Sequence, residues 1–231
     1  LSPPHIGVNE LKFVNKAFET NWIAPVGPNL SLFEQKISEI SLNYHVAALS
    51  SGTAAIHLAL ILLGIKKDDE VLCSSFTFAA SVNPVKYLMA NPIFIDSEKE
   101  SWNMCPELLE KAIKDRLKKN KKPKAIILVH LYGMPANMEK IMNISRIYNI
   151  PVIEDAAESL GSKYLGKPLG TFGEFGIFSF NGNKIITTSG GGALISKNKS
   201  LIEKSKYLAT QARNKKPYYE HLDIGYNYRL S

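Results

Sequence analysis

The chain has 231 residues, 45% of them apolar, and a formal net charge of +7. It is an ordinary globular composition with material for a sizeable core. No apolar run reaches the length of a membrane span, the longest breaking near Gly64, and no basic-then-apolar leader opens the chain. The two cysteines, Cys73 and Cys105, have no CxxC partner or neighbouring His cluster, so the reading is two buried thiols with no disulfide framework and no metal site.

In chain order, apolar spacing predicts a helix over 8–20, then an irregular loop at Asn21-Trp22-Ile23-Ala24-Pro25-Val26-Gly27-Pro28. A second helix is predicted over 30–42, with Leu30, Phe33, Ile37 and Ile40 on one stripe. From there short strands alternate with helices. The strands are 46–49, 70–73, 93–95, 125–130 and 152–154; the helices are 51–63, 78–89, 106–119 and 138–148. Such alternation argues an α/β domain with a mainly parallel central sheet, its strands apolar throughout because helices cover both faces.

The basic excess gathers in Lys111, Lys114, Arg116, Lys118, Lys119, Lys121, Lys122 and Lys124, at a helix end running into a loop. No aromatic residue interleaves it, so stacking platforms for bases are missing and nucleic acid is not expected as a partner.

In a parallel sheet, ligands sit beyond the carboxyl ends of the strands, which singles out four junctions. At Ser51-Gly52-Thr53-Ala54 a strand passes through small residues into a helix, either an anion cradle or a plain cap. At Ser75-Phe76-Thr77-Phe78 two aromatics follow a strand, fit for stacking on a flat ring or for the core. At Glu154-Asp155-Ala156-Ala157-Glu158 an apolar strand delivers a carboxylate, which can hold a protonated ring nitrogen or a metal, or cap the next segment. Fourth, Lys184 sits on a turn after Ser179 and Phe180 and before Gly190-Gly191-Gly192, a nucleophile or a surface charge. Together these meet the requirements of pyridoxal phosphate: a helix start for its phosphate, a flat side chain for its ring, a carboxylate for its ring nitrogen and an amine for its aldehyde. Gly161–Pro168 has the spacing of a phosphate-binding loop but ends in Pro where the magnesium-binding hydroxyl belongs, and is rejected.

The ordered series Ser51-Gly52-Thr53-Ala54, Ser75-Phe76-Thr77-Phe78, His130-Leu131-Tyr132-Gly133, Glu154 to Glu158, Ser179-Phe180 with Lys184, Gly190 to Gly192 and Gly225-Tyr226-Asn227-Tyr228-Arg229 closely resembles the DegT/DnrJ/EryC1/StrS sugar aminotransferases. The stretch Asn181 to Gly192 and the opening Leu1-Ser2-Pro3-Pro4-His5 look most like bacterial UDP-4-keto-6-deoxy-N-acetylhexosamine 4-aminotransferases of bacillosamine-type sugar synthesis. The resemblance implies a fold-type I large domain over 1–231, with helices over 1–45 and an α/β core over 46–231. It also implies that the family's smaller C-terminal domain is absent from these residues; the cytoplasm is the expected location, on the missing membrane-length run and leader pattern.

By the same resemblance, Lys184 anchors pyridoxal phosphate covalently and moves the proton, Asp155 pairs with the ring nitrogen and Phe78 stacks on the ring. Glu158 contacts the cofactor; Ser51, Gly52, Thr53, Ala54 and Ser179 surround its phosphate. Asn227 reaches the phosphate of a neighbouring subunit, implying a homodimer. Asn21, Trp22, Ile23 and Ala24 meet a UDP-linked keto sugar, and L-glutamate is the expected amino donor. The sequence departs from the family pattern at Glu158, where His or Gln is frequent, at Asn181, near where a His is frequent, and at Asn137, where Asp is common.

Overall fold

The computed structural model describes residues 3–231; Leu1 and Ser2 of the opening motif lie outside the described residues. Seven strands form one sheet: β1 (His45–Leu49), β2 (Glu70–Ser74), β3 (Asn91–Ile95), β4 (Ala125–Val129), β5 (Val152–Asp155), β8 (Phe175–Ser179) and β9 (Gly192–Ser196). Between β5 and β8, β6 (Lys163–Tyr164) and β7 (Lys167–Pro168) make a separate two-stranded ribbon, where the rejected phosphate-loop spacing falls. The order across the sheet is β1-β9-β8-β5-β4-β2-β3. β9 runs antiparallel to both its neighbours and every other pairing is parallel. The carboxyl ends of six strands and the amino end of β9 therefore share one edge.

Alternation along the strands sends side chains to two apolar layers. On one face Val71, Cys73, Ala125, Ile127, Ile153, Ile177 and Leu194 pack with the helix α3 (Gly52–Leu62), the short helix α4 (Asn83–Tyr87) and the helix α7 (Lys199–Ala209). On the other, Leu72, Ile126, Leu128 and Val152 pack with α5 (Pro106–Lys118) and α6 (Met138–Tyr148), while Val46, Phe178, Ala193 and Ile195 receive Ile37 of α2 (Pro28–Ile40). Each fully buried Leu, Ile or Phe contributes about 1.5–3 kcal/mol, so the two layers hold the sheet edge rigid. The remaining helix α1 (Glu10–Glu19) buries no residue, and its Phe13, Val14 and Phe18 are more than half exposed.

Two sequence expectations are corrected and one element is added. The helix expected over 78–89 is broken: Phe78 is extended (φ −71°, ψ 142°), Ala79–Ser81 form a 3-10 turn, and α4 begins beside Pro84, which donates no backbone hydrogen bond and suits only a first turn. Cys105 is partly exposed while Cys73 is buried. Finally, α7 went unanticipated although Asn198 caps it with its side chain and Ile202, Ser205, Leu208 and Ala209 mark its inner stripe. Among the described residues no helix is long and apolar enough to cross a membrane.

Candidate active site at the carboxyl edge of the sheet

The cradle forms first. Leaving β1, the chain makes Ser51 the N-cap of α3, and its Oγ accepts the Ala54 N–H at 3.0 Å. The amides of Gly52 and Thr53 remain without helical partners at the positive end of the helix dipole. The junction is therefore a cap that also leaves free donors. Ser179, at the end of β8, comes so close that a Cβ on Gly52 would lie 3.2 Å from its own Cβ. Gly192 passes behind: a Cβ there would overlap the Ser51 carbonyl and stand 2.5 Å from the Gly52 nitrogen. The last residue of the triple glycine is thus fixed by close backbone approach to the cradle, as its place at a strand entry suggested.

The carboxylate comes next. Asp155 is 6% exposed at the end of β5. Ser81 donates to its Oδ2 at 2.6 Å and the Ala157 N–H to its Oδ1 at 3.2 Å. Burial raises the carboxyl above its ordinary value; the Ser81 and Ala157 hydrogen bonds and the charge of Lys184 oppose that rise. A buried carboxylate with so few compensating groups is suited to a cationic partner.

Lys184 sits in a loop whose ends are tied together by Phe180 N–H to the Gly191 carbonyl (2.8 Å) and Thr188 N–H to the Phe180 carbonyl (2.9 Å). Its side chain is 13% exposed, and its Nζ lies 3.2 Å from Glu158 Oε1. The other Glu158 oxygen accepts the Tyr132 N–H at 3.1 Å. Tyr132 adopts a left-handed backbone (φ 51°, ψ 28°), and a Cβ on the following Gly133 would lie 2.9 Å from the Glu158 carbonyl oxygen, so this turn is pressed onto Glu158. Phe78 is 79% exposed, which removes the core reading for it; Phe76 leans on Trp102 with ring centroids 5.9 Å apart.

The edge thus carries Ser51, Gly52, Thr53, Phe78, Asp155, Glu158, Ser179 and Lys184. Ala54 is there too, with its amide already satisfied. Asn227 is exposed, in a segment clamped by Tyr226 N–H to the Leu208 carbonyl and Ser50 N–H to the Tyr228 carbonyl. Asn21 to Ala24 are exposed, and the Asn21 and Trp22 amides bond locally to the Phe18 and Ala17 carbonyls. Two shallow clefts of about 360 and 310 Å³ open at the opposite sheet edge, around Tyr44, Lys167 and Asn198 and around Glu34, His45 and Lys206; neither includes an expected site residue.

Two structural contributors escaped the sequence reading as site residues. Ser81 reaches Asp155 across 74 positions, for which only its proximity to the Phe76–Phe78 motif was a signal. Glu154, fully buried, accepts from His130 Nε2 (3.0 Å) and from the amides of Gly170 (2.9 Å), Phe172 (2.6 Å) and Gly173 (2.6 Å). The Ala136 N–H donates to His130 Nδ1 at 3.3 Å, so the ring proton lies on Nε2, toward Glu154. This pair locks the strand end next to Asp155.

The residues present fit pyridoxal phosphate: free amides at a helix start, a buried carboxylate seeking a cation, an exposed aromatic and a sheltered amine. Among the described residues no group of three or more His, Cys, Asp or Glu could hold a metal ion.

The comparisons agree with this chemistry. The chain is 54% identical over 231 residues to EpsN of Bacillus subtilis, provisionally named a pyridoxal phosphate-dependent aminotransferase, covering all of this chain and 60% of that protein. It is 42% identical over 228 residues to a GDP-perosamine synthase of Escherichia coli O157:H7, covering 99% of this chain and 61% of the other. A crystal structure of a DegT DnrJ EryC1 StrS aminotransferase from Brucella abortus superposes with a TM-score of 0.90 at 33% identity, over 96% of this chain and 60% of that one. The chain therefore spans about three-fifths of the length of the relatives it matches. The fold is that of the pyridoxal phosphate-dependent fold-type I enzymes. The DegT/DnrJ/EryC1/StrS aminotransferase family model matches residues 4–231, and the chain belongs to that family.

Proposed function

We propose that this chain is the cofactor-binding large domain of an aminotransferase that moves the amino group of L-glutamate to a nucleotide-linked keto sugar, releasing 2-oxoglutarate. The observation that carries this reading is Lys184, a sheltered amine 3.2 Å from Glu158 on the same edge as Asp155 and the α3 cradle. Bound there, pyridoxal phosphate supplies the electron sink that stabilises negative charge at the carbon bearing the amino nitrogen. The Gly52 and Thr53 amides with Ser179 would hold the phosphate, Asp155 would keep the ring nitrogen protonated, and Phe78 would supply a flat face for the ring. Lys184 would anchor the cofactor through its Nζ and, as a free amine, would move the proton at the substrate carbon.

The acceptor in this reading is the C4 ketone of a UDP-linked 4-keto-6-deoxy-N-acetylhexosamine, on the likeness of Asn181 to Gly192 to enzymes of that class. A GDP-linked keto sugar is the second reading, favoured by the 42% identical relative named GDP-perosamine synthase. The exposed, clamped Asn227 supports a homodimer in which it reaches the partner's cofactor. Incubating the full-length holoprotein with L-glutamate and a panel of UDP-, GDP- and dTDP-linked keto sugars, with product identification by NMR, tests both readings. A UDP-linked 4-amino sugar formed with equimolar 2-oxoglutarate supports the first, and a GDP-linked product the second. No amino sugar from any of them contradicts the function.

A further inference from the structure

We propose that Ser81 is a positioning residue, the middle member of a two-hydroxyl relay from Thr77 to Asp155 that fixes the carboxylate and pins the turn presenting Phe78. The proposal rests on the reading of Asp155 as partner of the cofactor's ring nitrogen.

Ser81 is 2% exposed and its Oγ lies 2.6 Å from Asp155 Oδ2 and 2.6 Å from Thr77 Oγ1. An ionised carboxylate only accepts, so the single Ser81 hydroxyl hydrogen points to Asp155 and Thr77 must donate to Ser81. The relay therefore runs in one direction while Asp155 is charged. Between the two hydroxyls lies Phe78, whose carbonyl accepts the Ser81 N–H at 3.0 Å. One four-residue span thus ties an exposed aromatic to a buried carboxylate that sits 74 residues further along. With Ala157 on the other oxygen, each carboxylate oxygen has one fixed donor, and the side chain has one orientation. Hydrogen bonds to a charged acceptor in a buried site are the strong kind, and this one favours the charged form against burial.

The test uses the holoprotein and two readouts: cofactor dissociation constant, and the pH midpoint of the visible band of the bound cofactor. Ser81→Ala is expected to weaken cofactor binding about tenfold, the loss of one hydrogen bond to a charged group. The band midpoint should move upward, because a ring nitrogen without a fixed carboxylate loses its proton and withdraws less electron density. Ser81→Cys fills the same space but donates weakly. It should resemble Ser81→Ala if the hydrogen bond matters, and the parent protein if only volume matters, which would overturn the proposal. Thr77→Val, which leaves Ser81 in place, should move both readouts in the same direction by less. If Ser81→Ala and Thr77→Val leave both readouts unchanged while Asp155→Asn alters them, the relay has no positioning role. If Asp155→Asn also changes neither, the underlying reading of Asp155 falls.

Discussion

Glu158 holds Lys184 with one carboxylate oxygen, at 3.2 Å, and the backbone of Tyr132 with the other, at 3.1 Å. The lysine is thereby coupled to the turn that follows β4, whose left-handed Tyr132 and Gly133 are pressed onto the Glu158 backbone. Family members frequently carry His or Gln where this chain has Glu158. Gln keeps an acceptor for Tyr132 and lacks the charge that steers the amine. Glu158→Gln should therefore keep the fold and slow borohydride-trappable cofactor attachment by about tenfold, near the value of one charge-assisted hydrogen bond. Stopped-flow absorbance after mixing cofactor-free protein with pyridoxal phosphate measures it.

Gly192 and Gly182 make a matched pair. A Cβ on Gly192 would overlap the Ser51 carbonyl, where backbone has to shift, whereas nothing lies within 4 Å of one on Gly182. Gly192→Ala is expected to displace the α3 cradle and weaken cofactor binding by at least about a hundredfold, and Gly182→Ala to change it by less than about twofold. Equilibrium titration of the two variants decides it.

The buried Glu154 has the opposite role, in stability. Glu154→Ala leaves His130 and three amides without their acceptor, a loss of about 3–5 kcal/mol for a broken buried pair. A chain of this size shifts its melting temperature about 2–4 °C per kcal/mol, so a fall of roughly 10 °C is expected. Calorimetry on the cofactor-free variant checks it without reference to activity.

Asp155 sets a pH dependence. Its folded carboxyl lies above the ordinary value because it is buried, so between the ordinary and the raised value the cofactor-free native state binds more protons than the unfolded chain. Stability contributed by the neutral form is complete below the ordinary carboxylate value and is lost as pH climbs through the raised one. Asp155→Asn, which cannot ionise, should flatten this fall and melt above the parent protein at neutral pH, while binding the cofactor more weakly. Melting curves between pH 4 and about 8 follow both.

The sheet was readable because its strands are short apolar runs between helical repeats: 125–130 and 138–148 match β4 and α6 almost to the residue. What escaped were a polar C-terminal helix and a break inside an expected one. α7 is polar along most of its length, and the run around Pro84 mixes Ser81, Asn83 and Lys86 with apolar neighbours, so spacing alone did not mark the break. At the site, each of the four junctions was legible by itself, since strand ends and helix starts are local features. The links between them were not: Ser81 to Asp155, Tyr132 to Glu158, and Gly192 to the Ser51 backbone all cross the sheet edge, and contacts between distant strand ends leave no spacing in a sequence.

The most direct test of the account is the covalent partner of the cofactor. The holoprotein should show a visible absorbance band that borohydride bleaches, and peptide mass spectrometry should then find the reduced pyridoxyl group on Lys184. Lys184→Ala should lose both the band and the adduct while keeping its melting profile, because this lysine lies on a loop and not in the core. An adduct on another lysine, or a bleachable band surviving in Lys184→Ala, would contradict the account.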